Sequence, residues 1–372
     1  MLNEKLKNQP LIIHTDWSCA WGGQEIRTLT ELREMKKLGF RVGMIVREGS
    51  ELARRGKEEG IPVHFIDFSS KFNISAWRNL YILIKRLQPA VINTHSSEDS
   101  WMAGCLARIC RVPLIIKTRH VLAPISSSFS YNAFAHVIFS CSEAIGRQLA
   151  EQNVQREKII VQSTGIDEQR FRFSASNRKE IRERYNLADQ DILVGNISFL
   201  REYKGHEFIA RTAATLPENF KFMIVGGGNG RSILEKDIAE AGVQDRFILT
   251  GHREDPERFF SAIDIIFFSS YETEGISQSF IQGLLYGIPL LVCRTPSILE
   301  PLESVRTFRT VDYGDLEAAR SGMLELAKHI PLDEETIQQQ RQDIAKKYGL
   351  TTMVENIVRI YGSYGIQVDA AH

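Results

Sequence analysis

Short β-branched runs alternate with longer amphipathic segments along this chain, and the alternation begins twice. PLIIHTD, RVGMIVR, PVHFID, AVINTH, PLIIKT, HVIFS and KIIVQS read as strands of a first half, separated by helical patterns such as GQEIRTLTELREMKKLG and AWRNLYILIKRL. After a polar stretch near SASNRKE, the strands DILVGNIS, FKFMIVGG, DRFILTG, DIIFFSS and IPLLVC alternate with further helices. Such alternation predicts a parallel sheet wrapped by helices. No period of 20 to 50 residues repeats, which excludes a solenoid. A chain of 372 residues also exceeds one ordinary core. The expectation is therefore an α/β protein of two doubly wound domains in tandem, over residues 1–170 and 171–350, with a hinge near 165–176 and a last helix within 351–372 crossing back to the first domain.

Charge is balanced overall, yet residues 1–173 hold 24 Lys and Arg against 17 Asp and Glu, and the remainder 22 against 29. A basic first domain suits an anionic membrane surface or a phosphorylated acceptor, and chance surface variation accounts for it about as well. No basic stripe interleaved with aromatics occurs, which argues against nucleic acid. The stretch MLNEKLKNQPLIIHTD has too short an apolar run for a signal peptide, and no segment reaches membrane-spanning length. Cys19, Cys105, Cys110, Cys141 and Cys293 form no CxxC pair, so buried, reduced thiols in the cytoplasm are expected rather than a disulfide or zinc framework.

In doubly wound sheets ligands bind beyond the carboxyl ends of the strands, so each strand-to-loop junction is a candidate site. In SSYETEGISQSFIQGLLYGIP, the strand DIIFFSS leads through YETEG into a helix ISQSFIQGLLY stopped by Gly287 and Pro289. Free N–H groups near Gly275, Ile276, Ser277 and Gln278 would attract an anion. Glu274 is then either a ligand group or only an electrostatic helix cap, worth roughly 0.3–1 kcal/mol. SFLREYKGHEF places Arg201 and Lys204 where they can clamp a diphosphate, Arg as a planar fork and Lys as a point charge, or simply stand in a solvated loop. In MIVGGGNGRSILEK the GxGxxG spacing from Gly226 fails at Arg231, which disfavours a nicotinamide site but leaves the turn around Gly227 open to a nucleotide phosphate or sugar. His252 and Arg253, after the next strand, could border a base. In the first half, Gly22 and Gly23 open a helix and would admit a ligand to the backbone, or serve only a turn. His95 and His120 end two strands on one face; a lone histidine is usually structural, and His120 has the stronger claim on substrate.

Taken in order, these segments resemble glycosyltransferase family four, the retaining enzymes of the two-domain GT-B fold, over nearly the whole chain. WGGQE is similar to that family's N-terminal glycine loop, THSSEDSWMAGCLAR to the loop and helix after its fourth strand, TRH to its active-site histidine segment and SCSEAI to its serine-glutamate segment. STGIDEQRF resembles its linker entry, and LREYKGHEF, IVGGGNG, LTGHRED and SSYETEGISQSFIQGLLYGIPLLV follow in the family's order. The resemblance implies two Rossmann-like domains facing a central cleft, a nucleotide-sugar donor on the second and a glycan or lipid-linked acceptor on the first. It makes Arg201 and Lys204 the diphosphate clamp, His120 a contact of the donor sugar, Glu274 a ligand of sugar hydroxyls and position 282 a ribose contact. The family pattern is Glu, seven residues, Glu; here it ends in Gln282, whose amide offers one accepting oxygen and a donating NH2. Phe199 likewise stands where many members have Arg, with Arg201 as the proposed substitute.

The implied chemistry is loss of a sugar through an oxocarbenium-like state while charge builds on the departing diphosphate. Cations and N–H groups aimed at that phosphate would stabilise the transition state more than the ground state. No DxD-like acidic triplet followed by other oxygen ligands is present, so neither metal nor further cofactor is expected. No second carboxylate is evident as a nucleophile of the glycosidase type. Same-face attack, with the leaving phosphate as base, is what the family implies. The favoured setting is bacterial surface polysaccharide or lipopolysaccharide synthesis, in the cytoplasm and peripheral to the inner membrane. Other readings are a sugar-nucleotide epimerase or hydrolase on the same architecture, a carbohydrate phosphorylase, and a non-catalytic nucleotide-sugar-binding protein.

Overall fold

A computed structural model describes residues 8–271, 275–330 and 333–368. They form two compact units, one of residues up to 165 together with those from 351 onward, the other of residues 166–350. The strands of the first unit are β1 (Leu11–Asp16), β2 (Arg41–Val46), β3 (Val63–Phe65), β4 (Val91–Thr94), β5 (Leu114–Arg119), β6 (Val137–Ser140) and β7 (Ile159–Val161). All pairings are parallel, in the order β3-β2-β1-β4-β5-β6-β7. The second unit pairs β8 (Ile192–Ile197), β9 (Phe220–Val225), β10 (Phe247–Gly251), β11 (Ile265–Phe268), β12 (Leu290–Cys293) and β13 (Phe308–Val311) in the order β10-β9-β8-β11-β12-β13. Both are Rossmann-type doubly wound sheets, and each reverses direction once: between β1 and β4 in the first unit, between β8 and β11 in the second.

The central strands are buried on both faces, which is why β11 and β12 are unbroken apolar runs instead of alternating ones, while β4 and β6 also enclose Asn93, Thr94 and Ser140 at their carboxyl ends. In the second unit, Leu193, Met223, Val225, Ile266 and Leu290 pack on one face, while Val194, Phe222, Ile265 and Leu291 pack on the other. At about 25 cal/mol per Å² of apolar area, these two layers are the main stabilising term of that unit. The edge strand β13 was not among the strands read from sequence. Its FRTV is short and only Val311 is buried. The last long helices, Glu334–Tyr348 and Leu350–Ser363, divide between the units. Arg341 of the former donates to the carbonyls of Phe171 (2.7 Å) and Leu285 (3.0 Å), and Tyr361 of the latter is buried edge-on against Phe40. Of the cysteines, all free, Cys141 and Cys293 are buried as expected but Cys19 is exposed, because it lies in the open loop after β1. Among the described residues no helix is long and apolar enough to cross a membrane.

Candidate active site

Carboxyl ends of β8 and β11 flank the switch point of the second sheet, and the loops that leave them are bonded to each other. The peptide N–H of Tyr271 donates to the carbonyl of Tyr203 (3.1 Å), and Ser269 Oγ to that of Lys204 (2.7 Å). Gly205 makes the approach feasible: its φ of +65° is in the left-handed region, and a Cβ there would lie 2.3 Å from the Ser269 carbonyl oxygen. Lys204 is thereby drawn inward until it is 6% exposed, with Nζ 5.7 Å from the Phe268 ring centroid and 5.5 Å from that of Tyr203. Arg201, by contrast, is exposed, its Nη1 donating to the Tyr203 hydroxyl at 3.3 Å. The two cations of the expected clamp therefore share one loop but not one environment.

Behind Lys204, His206 is buried and shares a 3.0 Å hydrogen bond with Ser198 Oγ, which donates to Asn196 Oδ1 at 2.7 Å. Burial, with Lys204 nearby, pushes the His206 imidazole down to about 4, so at neutral pH it adds no charge. The glycine turn after β9 closes on the same loop. Leu200 N–H donates to the Gly227 carbonyl (2.9 Å) and Gly230 N–H to that of Leu200 (3.2 Å). A Cβ on Gly226 would sit 1.8 Å from the Ser198 carbonyl oxygen, so this position admits only hydrogen. A Cβ on Gly227 would lie 3.1 Å from that of His252, whose exposed ring lies parallel to Phe199, 6.3 Å between centroids and 13° between planes. Arg253 is turned elsewhere: its guanidinium is held by both oxygens of Asp255 (2.9 and 3.0 Å) and lies over Phe259.

Glu274 lies outside the described residues. Gly275 is buried and Ile276, Ser277, Gln278 and Gln282 are half-buried. The helix here runs only from Gln278 to Leu284, seven residues, shorter at both ends than the sequence suggests. Ser277 is its extended N-cap, so Gly275 and Ile276 precede the helix and lie outside its first turn.

The remaining sequence candidates meet at the switch point of the first sheet. Gly22 precedes the helix Gly23–Lys37, its N–H donating to Glu25 Oε2 at 2.8 Å, and Gly23 is exposed. Gln24 of that helix reaches Asp16 Oδ2 (2.9 Å) and Ser96 Oγ (3.1 Å). Asp99 accepts from Thr15 Oγ1 (2.5 Å) and from the N–H groups of His95 (3.1 Å) and Ser96 (2.8 Å). Burial raises both acids, Asp16 to about 6 and Asp99 to about 7, each raised further by a neighbouring carboxylate, while burial lowers Lys117 to about 7. His95 and His120 are bonded directly, Nδ1 to Nε2 at 2.9 Å, and His95 Nε2 lies 2.8 Å from His14 Nδ1. The sequence reading missed His14, Asp16, Asp99, Arg27 and Glu31. The last two carried a signal, since charged residues four apart interrupt the apolar stripe of a helix whose Leu29, Leu32 and Met35 are buried.

Two family models cover most of the chain: Glycosyltransferase Family 4 over residues 21–170 and Glycosyl transferases group 1 over 177–343. The chain belongs to glycosyltransferase family four. Among its relatives, the putative glycosyltransferase EpsF of Bacillus subtilis is 24% identical over 56% of this chain and 52% of its own length. An Escherichia coli UDP-Gal:alpha-D-GlcNAc-diphosphoundecaprenol alpha-1,3-galactosyltransferase is 24% identical over 58% of this chain and 60% of its own. The matched region thus spans little more than half of these relatives. Among solved structures, Anabaena Alr3699/HepE in complex with UDP superposes with a TM-score of 0.85 at 16% identity, covering 95% of this chain and 100% of that one. A glycosyltransferase from Rickettsia africae gives 0.85 at 19% identity, covering 96% and 99%. Likeness at that identity shows the fold, which is GT-B.

Proposed function

We propose that the chain transfers a sugar, with retention of anomeric configuration, from a nucleoside diphosphate sugar to a glycan or lipid-linked acceptor. The observation that carries this reading is the knitting of the Arg201–Gly205 loop to residues 269–271 after β11, which sets a buried lysine beside the switch point of the second sheet. In that arrangement Lys204 and Arg201 neutralise the departing diphosphate, N–H groups around Gly275 and Ile276 supply further donors, and the Phe199–His252 pair offers a flat apolar face to a base. Gln282 meets the ribose and Glu274 the sugar hydroxyls. Protein groups supply the positive charge, without metal or cofactor. The galactosyltransferase relative, named for a diphosphoundecaprenol-linked substrate, and the UDP complex of the Anabaena protein support a nucleotide-sugar donor and a lipid-linked acceptor.

The first unit also offers a surface suited to peripheral attachment at the cytoplasmic face of the inner membrane. Phe72 and Ile74 are 91% and 82% exposed, and Lys71 lies over Trp101, on which the exposed Phe129 stacks. Apolar side chains beside a lysine fit a bilayer of anionic lipids. The deciding experiment incubates the protein with UDP-, GDP- and ADP-sugars and a lipid-linked acceptor, and reads products by NMR. An α-linked product from an α-linked donor supports the proposal. Epimerised or hydrolysed donor with no acceptor product would assign the alternative chemistry, and no binding of any nucleotide would refute both.

A further inference from the structure

A single file of polar contacts runs through the first unit behind His120. Cys141 Sγ lies 3.5 Å from His120 Nδ1, and His120 Nε2 lies 2.9 Å from His95 Nδ1. His95 Nε2 is 2.8 Å from His14 Nδ1, and His14 Nε2 is 3.4 Å from Glu31 Oε1. Among the described residues, neither of those last two atoms makes a hydrogen bond of ordinary geometry, so they face each other at ion-pair distance, with the Asn93 side chain also against Glu31. The inner members are fully enclosed, His14 and Glu31 at 0% and His95 at 4% exposure, and only His120 reaches the half-buried zone.

A neutral imidazole has one N–H and one lone pair, so with all three rings neutral the file can be filled in two ways; a doubly protonated His14 would leave an unbalanced cation fully enclosed, since Arg27 already offsets Glu31. With Glu31 ionised, His14 donates from Nε2 to the carboxylate and must accept at Nδ1 from His95 Nε2–H. His95 Nδ1 then accepts from His120 Nε2–H, and His120 Nδ1 is left to accept from the Cys141 thiol. With Glu31 protonated, every ring reverses. The surrounding groups favour the first filling. Burial alone would raise Glu31, but His14 and Arg27 outweigh it and hold the carboxyl below its ordinary value. Burial keeps His95 and His120 well below the ordinary histidine range, reinforced by the neighbouring histidines and Arg27, and at His120 by Arg119. The other ionisable groups facing the file are Asp99, which accepts the His95 N–H, and the Tyr361 phenol, raised by burial and by Glu31. Arg27 donates to Cys141 Sγ and to the Gln162 carbonyl, each at 2.8 Å, and Thr164 and His120 are the other side-chain partners of the thiol.

We propose that Glu31, His14 and His95 are positioning residues acting through His120: one buried carboxylate locks all three imidazoles as Nε2–H tautomers and presents His120 neutral in one ring orientation. The role of His120 beside the donor sugar rests on the functional reading above; the tautomer assignment does not. Both ring nitrogens of His120 are occupied within the protein, so its fixed orientation, not a spare ring nitrogen, is what it brings to a ligand.

The test is NMR of the full chain with ring-15N-labelled histidine, wild type beside Glu31→Gln and His14→Phe. In the wild type these three histidines should show protonated Nε2 and bare Nδ1, and His95 and His120 should not titrate between about pH 6 and 8, the range in which a free histidine does. Glu31→Gln should mix or reverse the tautomers, since an amide can turn either end to His14. It should also lower kcat about 10- to 100-fold with KM for the donor within about threefold, as loss of a partner behind a functional histidine does elsewhere. A wild-type His120 protonated at Nδ1 or cationic at neutral pH would overturn the proposal, as would unchanged ring signals in folded Glu31→Gln. The wild-type spectrum alone can refute it, so a variant that fails to fold does not shelter it. If no donor is turned over by the wild type, the functional reading fails while the ring signals still decide this inference.

Discussion

The two switch points of this molecule have the same topology and opposite construction. In the first unit, side chains converge: Asp16, Asp99, His14, His95 and Lys117 are buried and Gln24 half-buried, with bonds such as Gln24 to Asp16 and His14 to His95 among them. In the second, backbone lines the site, with glycines at 205, 226, 227 and 228 pressed against neighbouring carbonyls or His252, and Lys204 and Arg201 set beside them. One architecture thus gives a preorganised polar network in one copy and a close-fitting backbone cradle in the other. A diphosphate, bearing charge that must be met without bulky intrusion, suits the second.

The largest effect should separate the two constructions by glycine replacement. Gly226→Ala forces a methyl onto the Ser198 carbonyl oxygen and should cost the second unit on the order of 4 kcal/mol, within the range of severe strain and overpacking. Gly22→Ala meets only Glu25 Oε2 at 3.4 Å and should cost about 1 kcal/mol or less. Calorimetry of both variants checks the contrast, and equal losses would break it. Next, Lys204→Ala should lower kcat about 10²- to 10³-fold, the usual loss of a fixed charge-stabilising donor, with acceptor KM little changed; steady-state kinetics on folded protein decide this.

The pH response should differ in sign. His206 titrates at about 4 when folded against an ordinary 6.5, so between these values the unfolded chain binds more protons. Its stabilisation is full above about pH 6.5, falls away toward pH 4 and amounts to about 3 kcal/mol. Asp99, raised from 3.8 to about 7, works oppositely: the folded state holds the proton, and stability declines as pH rises through that window. Denaturant titrations of wild type and His206→Gln from pH 4 to 7 should show the variant losing the rising component; parallel curves would contradict the assignment.

Much of the architecture was legible because doubly buried strands must be apolar runs, and Ile265–Phe268 or Leu290–Cys293 can hardly be anything else. β13 escaped because an edge strand carrying Arg309 has no such need. At the second switch point, the loops of Lys204 and of Ser269 were legible as strand-to-helix junctions, while their mutual bonding was not, since it joins positions 65 apart in sequence and depends on Gly205 adopting a left-handed conformation. The polar file of the first unit was hidden for a different reason. His14 sits within an apolar strand and Glu31 on a helix, and only folding shows that one reaches the other. Arg253 was legible as a cation at a strand end, but Asp255, two residues on, claims it.

A smaller effect sharpens the ribose assignment: Gln282→Glu should retain activity, with donor affinity changed by less than about tenfold, or 1.4 kcal/mol, by calorimetric titration. Abolished activity in the folded variant would give the amide a role of its own.

The most direct measurement is a crystal structure of the full chain soaked with a nucleoside diphosphate, UDP and GDP in turn. The diphosphate should lie within hydrogen-bonding distance of Lys204 Nζ and of N–H groups at 275–276, at the switch point between β8 and β11. A nucleotide held instead by the Asp16, His95 and Asp99 cluster of the first sheet would contradict the account.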